Sequence, residues 1–436
     1  MTQQIIDEDK IDKLAKLAVN TGLGLQPGQD LLLTAPIEAL PLVRRVAVHA
    51  YKAGAGLVTP LFSDGELTLA RYKYGNNDSF DKATNWLYDG IGKAFDNNTA
   101  RMAIAGDDPM LLANQDPEKI GRANKANSIA YKPARERITQ FNINWNIIAW
   151  PGLDWAKRVF PDLPSSEAQS RLANAIFDAS RVSANDPVED WQRHNQVLRK
   201  KCEWLNAKNF SALHFVGPGT DLMVGLADEH EWMGGASVAQ NGITCNPNIP
   251  SEEVFTTPHA FKVDGWVSST KPLSHQGSLI DKIYVKFEDG RIVNAKSEKG
   301  EEVLLKILDS DDGARRLGEV ALVPDSSPIS QSGLLFYNTL FDENAACHIA
   351  LGQCYSKCFK GEENLSKTEI SRRGGNSSMI HIDWMIGSKD IDIDGFNQTE
   401  ARPLFFEKVS GLKLTRSVLR LLFAFLQIIG KIRPHR

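Results

Sequence analysis

Ile380-His381-Ile382-Asp383-Trp384-Met385-Ile386-Gly387 alternates apolar and polar side chains through Trp384. That is the period of a β-strand, on which residues i and i+2 project the same way. His381 and Asp383 therefore share one face, while Ile380, Ile382 and Trp384 form the other. A polar turn, Gly374 to Ser378, precedes the segment. A histidine and a carboxylate held together on a strand read as preorganised metal ligands. A buried histidine bonded to a neighbouring acid gives the same local pattern, so the decision rests on what other ligands the chain offers.

The surrounding second half has the texture of sheet. Ala212-Leu213-His214-Phe215-Val216 is mostly apolar, and Ile283, Val285 and Phe287 alternate at strand period. Asp289-Gly290 is a hairpin signal between that run and Arg291-Ile292-Val293. The first half alternates helix and strand instead. Ile11, Leu14, Leu17 and Ala18 keep helical spacing, Gly22 to Gly28 reads as a turn, and Leu31-Leu32-Leu33 reads as a buried strand. Leu42, Val43, Val46, Ala47 and Ala50 mark a second helix, closed by Gly54 and Gly56, with further strands at 57–59 and 102–105. Residues 165–206 read as helical, with Leu172, Ala175, Ile176 and Ala179 as the apolar stripe. Trp145, Trp150, Trp155, Trp191 and Trp204 cluster in the middle third, where tryptophans serve packing.

These textures predict an α/β amino-terminal domain with a largely parallel sheet, followed by an α+β, β-rich carboxy-terminal domain. The texture changes at 205–210, dividing the chain into 1–207, 208–410 and an atypical basic and apolar tail, 411–436. Gly22-x-Gly24-x-x-x-Gly28 is not a dinucleotide fingerprint: it precedes a strand, and its spacing is wrong. There is no Walker-type loop.

With 436 residues, 24% charged and a formal net charge of −4, the composition is that of a soluble globular protein. It argues against nucleic acid as a partner. The amino terminus has neither the positive region nor the apolar core of a secretory signal. The five cysteines are unevenly placed for a disulfide framework and are expected as reduced thiols in the cytoplasm.

Further ligands do occur. Glu253 stands just before an apolar strand start, and Glu319 lies alone among apolar neighbours in Leu317-Gly318-Glu319-Val320-Ala321-Leu322. Glu343 and His348 lie five apart, and Tyr355 follows His348 by seven, about two turns if the segment is helical. With His381 and Asp383, this set of oxygen and nitrogen donors exceeds the needs of one zinc ion. It suits a pair of divalent ions sharing a carboxylate, which activate water and polarise a carbonyl. Each member also has an ordinary reading: Glu253 as a cap, Glu319 paired with Arg315 or Arg316, Tyr355 as core. Cys347, Cys354 and Cys358 lack the C-x-x-C knuckle of a structural zinc site.

Three long blocks carry a resemblance: NIPSEEVFTTP (248–258), RRLGEVALVPDSSPISQSGLLFYNTLFDENAACHIALG (315–352) and NSSMIHIDWMIGS (376–388). In order and spacing they resemble the M29 family of thermophilic-type metalloaminopeptidases, the group of aminopeptidase T, AmpS and PepS. The resemblance extends from about residue 8 to about residue 395. It implies a cytoplasmic homodimer that hydrolyses amino-terminal residues from peptides at a centre of two divalent ions (Zn²⁺, Co²⁺, Mn²⁺ or Mg²⁺). By motif position, Glu253, Glu319, His348, His381 and Asp383 match the family's ligands, with Glu319 as the bridge. Glu343 matches a further acid at the metals, and Tyr355 matches the tyrosine that assists catalysis. Another dinuclear hydrolase, such as a deacylase or phosphoesterase, or a non-catalytic binding protein are the rival functions.

Beyond Gly395 the resemblance fades. Residues 415–433 combine Arg416, Arg420, Lys431 and Arg433 with a broken apolar stretch, too interrupted for a membrane span. A packed terminal helix or an aberrant reading frame accounts for this tail more simply than membrane contact does.

Overall fold

A computed structural model describes residues 6–275, 277–362 and 365–397; the tail 411–436 lies outside the described residues. The first half contains α1 (Glu8–Leu17), β1 (Leu31–Pro36), α2 (Leu40–Lys52), β2 (Val58–Ser63), α3 (Gly65–Tyr74), α4 (Asn85–Asp96), β3 (Ala100–Ala105), α5 (Pro117–Thr139), β4 (Trp145–Ala149), α6 (Leu153–Val159), α7 (Ser165–Ala179) and α8 (Pro187–Lys208). Asp7 starts α1 by accepting from the N–H groups of Asp9 and Lys10, and Ile11, Leu14 and Leu17 bury its apolar face. The four strands form a parallel sheet in the order β2-β1-β3-β4, the helices supplying the crossovers that parallel pairing demands.

Two local expectations are corrected. The chain does not turn at Gly22: Ala18–Leu23 continue α1 as a π-helical turn, which Gly24 closes in the left-handed region. Residues 165–206 are not one helix either. Helix α7 ends at Ala179, and Asp186 and Pro187 restart the chain as cap and first residue of α8. The end of α7 is a Schellman closure, with Val182 N–H on the Phe177 carbonyl and Arg181 N–H on that of Asp178. Arg181 occupies its left-handed position (φ 58°), where glycine is usual.

From residue 212 the chain supplies β5 (Ala212–Gly217), β6 (Thr220–Leu226), β7 (Val254–Thr256), β8 (Pro258–Ser268), β9 (Tyr284–Glu288), β10 (Arg291–Lys296), β11 (Leu317–Leu322), β12 (His348–Gly352), β13 (His381–Met385) and β14 (Asp392–Phe396). All pairings among them are antiparallel. One sheet runs β10-β9-β8-β6-β5-β14 and the other β13-β12-β11-β7. Asp289 and Gly290, both at positive φ, make the turn between β9 and β10.

The four-stranded sheet separates core from site. Val254, Val320, Leu322, Ile349, Leu351, Ile382 and Trp384 belong to the main hydrophobic core with residues of the larger sheet such as Phe215, Val263 and Val285. The residues between them in sequence carry the polar chemistry on the opposite face, as the two-residue period requires.

The amino-terminal half packs directly behind this region. Ile147 of β4 bridges Asn248, and Ile249 is buried among Leu31, Leu33 and Trp191. Trp155 and Leu172 pack with Ile329, Phe336 and Phe341, and the Trp155 indole N–H donates to the Phe336 carbonyl at 2.5 Å. The tryptophans at 150, 155 and 191 are thus packing residues.

Candidate metal centre

Strand register assembles the site. Glu319 of β11 lies opposite Ala350 of β12, which lies opposite Asp383 of β13. In the next row Ala321 faces His348, and His348 faces Met385. Opposed residues share a face, so Glu319, His348, Asp383 and, two residues from Asp383, His381 converge. Alanine at 350 and 321 leaves room for the acids and imidazoles beside them. A bulge between Leu317 and Glu319 sets the aim of Glu319. Gly318 sits in it, and a Cβ there would come within 2.3 Å of the Gln353 carbonyl. Across from His381, Gly352 holds φ 99°.

Within this face the donor atoms fall into two groups, each lying within 4.8 Å of one another: Glu253, Glu319 and His348, then Glu319, His381 and Asp383. Glu319 belongs to both through different oxygens. Its Oε1 is 3.5 Å from His348 Nε2, and its Oε2 is 3.4 Å from His381 Nε2. Glu253 Oε2 lies 3.1 Å from His348 Nε2, and Asp383 Oδ1 lies 3.5 Å from His381 Nε2.

The imidazoles are oriented from behind. His348 Nδ1 faces the Ala346 carbonyl at 3.3 Å, and His381 Nδ1 faces the Gln353 carbonyl at 2.7 Å. A carbonyl can only accept, so Nδ1 carries a proton, and Nε2 faces the acids with a second proton or, once a cation displaces it, with a lone pair. The buried Glu253 Oε2 depends for a partner on what lies between it and His348 Nε2. A lone pair and a carboxylate oxygen facing one another at 3.1 Å repel unless a cation or proton lies between them. This mixed imidazole and carboxylate set fits divalent ions.

Electrostatics agrees. Burial raises the Glu253 and Glu343 carboxyls above their usual range, and neighbouring acids add to it. Burial works against charge on His348 and His381, but Glu253 and Glu319 at the first, and Asp383 and Glu319 at the second, hold both well above the usual histidine range. The four acids and two imidazoles thus hold protons that a bound cation would displace.

The structure places the remaining expected residues nearby with different geometry. Glu343 lies in a 3₁₀ turn (Glu343–Ala345), within range of the charges of Glu253, Asp383, His348 and Glu319 but in neither donor group. It lines a cavity with Pro272, Leu273, Thr339, Asp383 and Met385. Tyr355 is not two helical turns from His348. Residues 348–352 are strand, and Tyr355 reaches the site from the loop that follows. Its ring lies between His381 (centroids 4.7 Å apart) and Phe255 (5.8 Å), with 39% of the residue exposed. The Arg315 and Arg316 guanidiniums turn away from Glu319, to Asp309 and to the Ala260 carbonyl. The Cys347 thiol exchanges hydrogen bonds with the Val323 backbone.

Sequence reasoning missed the residues that hold Glu253. Glu252 is 3% exposed, and its carboxylate takes a two-pronged contact from Arg181. Its backbone N–H donates to Asn344 Oδ1 at 2.7 Å. His194 Nε2 lies 2.7 Å from the Ser251 carbonyl. The one local signal was the double acid Glu252-Glu253 at a strand start, which leaves one of the two in need of a cation.

Residues 7–409 match the thermophilic metalloprotease (M29) family. Among curated relatives, aminopeptidase T of Thermus thermophilus is 50% identical over 392 residues, covering 90% of this chain and 96% of that protein. Aminopeptidase 2 of Geobacillus stearothermophilus is 43% identical (91% and 97% covered), and aminopeptidase AmpS of Bacillus subtilis is 40% identical (91% and 97%). The solved structure of wild-type AmpT from Thermus thermophilus superposes with a TM-score of 0.85 at 49% identity, covering 90% of this chain and 96% of that one.

Proposed function

This chain belongs to the M29 family of thermophilic metalloproteases, and we propose that it works as a metal-dependent aminopeptidase with two divalent ions bridged by Glu319. The observation that carries the two-ion reading is the division of the Glu319 carboxylate, one oxygen toward His348 and the other toward His381. Glu253, Glu319 and His348 would hold one ion, and Glu319, His381 and Asp383 would hold the other. When bound, such ions polarise the scissile carbonyl and lower the pKa of a water.

The protein's own groups then divide the remaining work. The Nδ1 contacts of His348 and His381 hold both rings with Nε2 aimed among the acids, where a cation would displace the proton it carries. Glu343, beside the ligands but outside both donor groups, moves the proton from the attacking water to the leaving amine. Tyr355, partly exposed above His381, donates to the oxygen that becomes negative as the carbonyl is attacked. Pro272, Leu273 and Met385 line a narrow crevice beside Asp383 and Glu343.

The proposal includes the division at 207/208, a homodimer and a cytoplasmic setting. Among the described residues no helix is long and apolar enough to cross a membrane. The test is release of para-nitroaniline from leucine para-nitroanilide by chelator-stripped protein. Release restored by Co²⁺ or Zn²⁺ supports the reading. Silence from protein that has taken up its ions counts against it.

A further inference from the structure

Four of the five ligand residues named above lie inside paired strands, where the ladder fixes their direction: Glu319 in β11, His348 in β12, and His381 and Asp383 in β13. Glu253 does not. Residues 251–253 have no strand pairing, and β7 begins only at Val254. Something other than a ladder has to aim Glu253.

We infer that Arg181, Glu252 and Asn344 form a positioning clamp through which the amino-terminal half holds Glu253 on the ion it shares with Glu319 and His348. Three ties converge on the two residues preceding Glu253. The Arg181 guanidinium grips both oxygens of the buried Glu252 carboxylate, with Nη2 to Oε2 at 3.1 Å. Asn344 Oδ1 accepts the Glu252 N–H, and His194 binds the Ser251 carbonyl. A two-pronged guanidinium–carboxylate contact fixes direction as well as distance. Because Glu252 and Glu253 are neighbours in the chain, fixing the first constrains the second.

Arg181 is itself held for this purpose. It occupies the left-handed position of a helix closure, where glycine carries no steric penalty. A bulky residue persists at such a position only when its surroundings over-determine it. Here they do: the guanidinium stands 5.8 Å from the Trp191 ring centre, and the Trp191 indole N–H donates to the Ser180 carbonyl at 2.8 Å. Asn344 carries the clamp to the other side of the site. Its amide donates to the Leu340 carbonyl (3.1 Å), its backbone carbonyl accepts from Ser327 (2.8 Å), and it is adjacent to Glu343.

The inference rests on the two-ion reading, and one titration separates the two. Chelator-stripped full-length protein is titrated with Co²⁺ against a chromophoric competitor, for wild type, Arg181→Met, Arg181→Lys and Glu252→Gln, with a thermal melt of each stripped protein to establish that it is folded. Loss of an outer partner of a metal ligand typically weakens binding about 10–100-fold. Arg181→Met and Glu252→Gln should weaken one of the two uptake steps by that factor and leave the other at its wild-type value. Arg181→Lys, which keeps the charge without the fork, should fall between. The double variant should be no weaker than the worse single one, because both remove the same contact.

Folded variants that take up both ions like wild type would overturn the clamp. So would an equal weakening of both steps in proportion to lost thermal stability, which is the signature of a merely structural role. A wild type that takes up one ion would overturn the two-ion reading instead. The clamp would then stand or fall on whether that single ion weakens in the same variants.

Discussion

At the scale of single residues, Glu319 is distinguished by geometry rather than by burial or charge, since its two oxygens face different imidazoles. Replacing it by glutamine keeps the shape, removes the charge, and turns one of those acceptors into a donor. Glu319→Gln is expected to bind fewer ions per chain. It should lose activity by about a thousandfold or more, equivalent to roughly 4 kcal/mol of transition-state stabilisation. Metal analysis and steady-state rates on the same sample check both. Tyr355→Phe separates catalysis from binding: removal of one oxyanion donor typically lowers kcat by about 10²–10³-fold. We expect that loss with KM and metal content close to wild type, and a wild-type kcat would remove Tyr355 from the mechanism. His381 and Asp383 were legible in the sequence because two residues on one strand must share a face. Arg181, Glu252 and Asn344 were not, because nothing local links positions 71 and 92 residues apart.

At the scale of elements, the four-stranded sheet has one face for stability and one for chemistry, and substitutions should separate accordingly. Ile349, fully buried in the core, flanks His348 but points away from the site. Ile349→Ala should destabilise the fold by about 2–5 kcal/mol, seen in thermal or denaturant unfolding, while the folded protein still takes up its full complement of ions. Gly318→Ala acts the other way. The added Cβ collides with backbone carbonyls of Gly352 and Gln353, so the bulge must shift and carry Glu319 with it. A loss of about 1–3 kcal/mol accompanied by weaker metal uptake is expected. Unchanged uptake would show that the bulge does not aim Glu319. The strands at 284–288 and 381–385 are readable from period-two alternation, and that at 212–217 from a mostly apolar run. The apolar stripe over 165–206 does not register the break between α7 and α8 that Asp186-Pro187 announces, and the two-turn relation of Tyr355 to His348, conditional on a helix, is excluded by the intervening strand.

At the scale of the whole molecule, the parallel sheet and its helices serve as the backing of a site built entirely from later residues. That division explains why the alternation of textures revealed the architecture but not the support of Glu253: long-range packing leaves no periodic trace in the chain. It also makes metal a structural partner. A ligand that binds only the folded state stabilises it by about 2.7 kcal/mol at a free concentration of 100 Kd. Stripping should therefore lower the melting temperature, and reloading should restore it. The most direct test of the two-ion site bridged by Glu319 is the number of ions bound per chain by stripped and reloaded wild type and Glu319→Gln, read together with leucine para-nitroanilide hydrolysis on the same samples. The two-ion proposal predicts two ions and restored activity in wild type, and fewer than two ions with activity lost in the variant. Two ions and full activity in folded Glu319→Gln would contradict it.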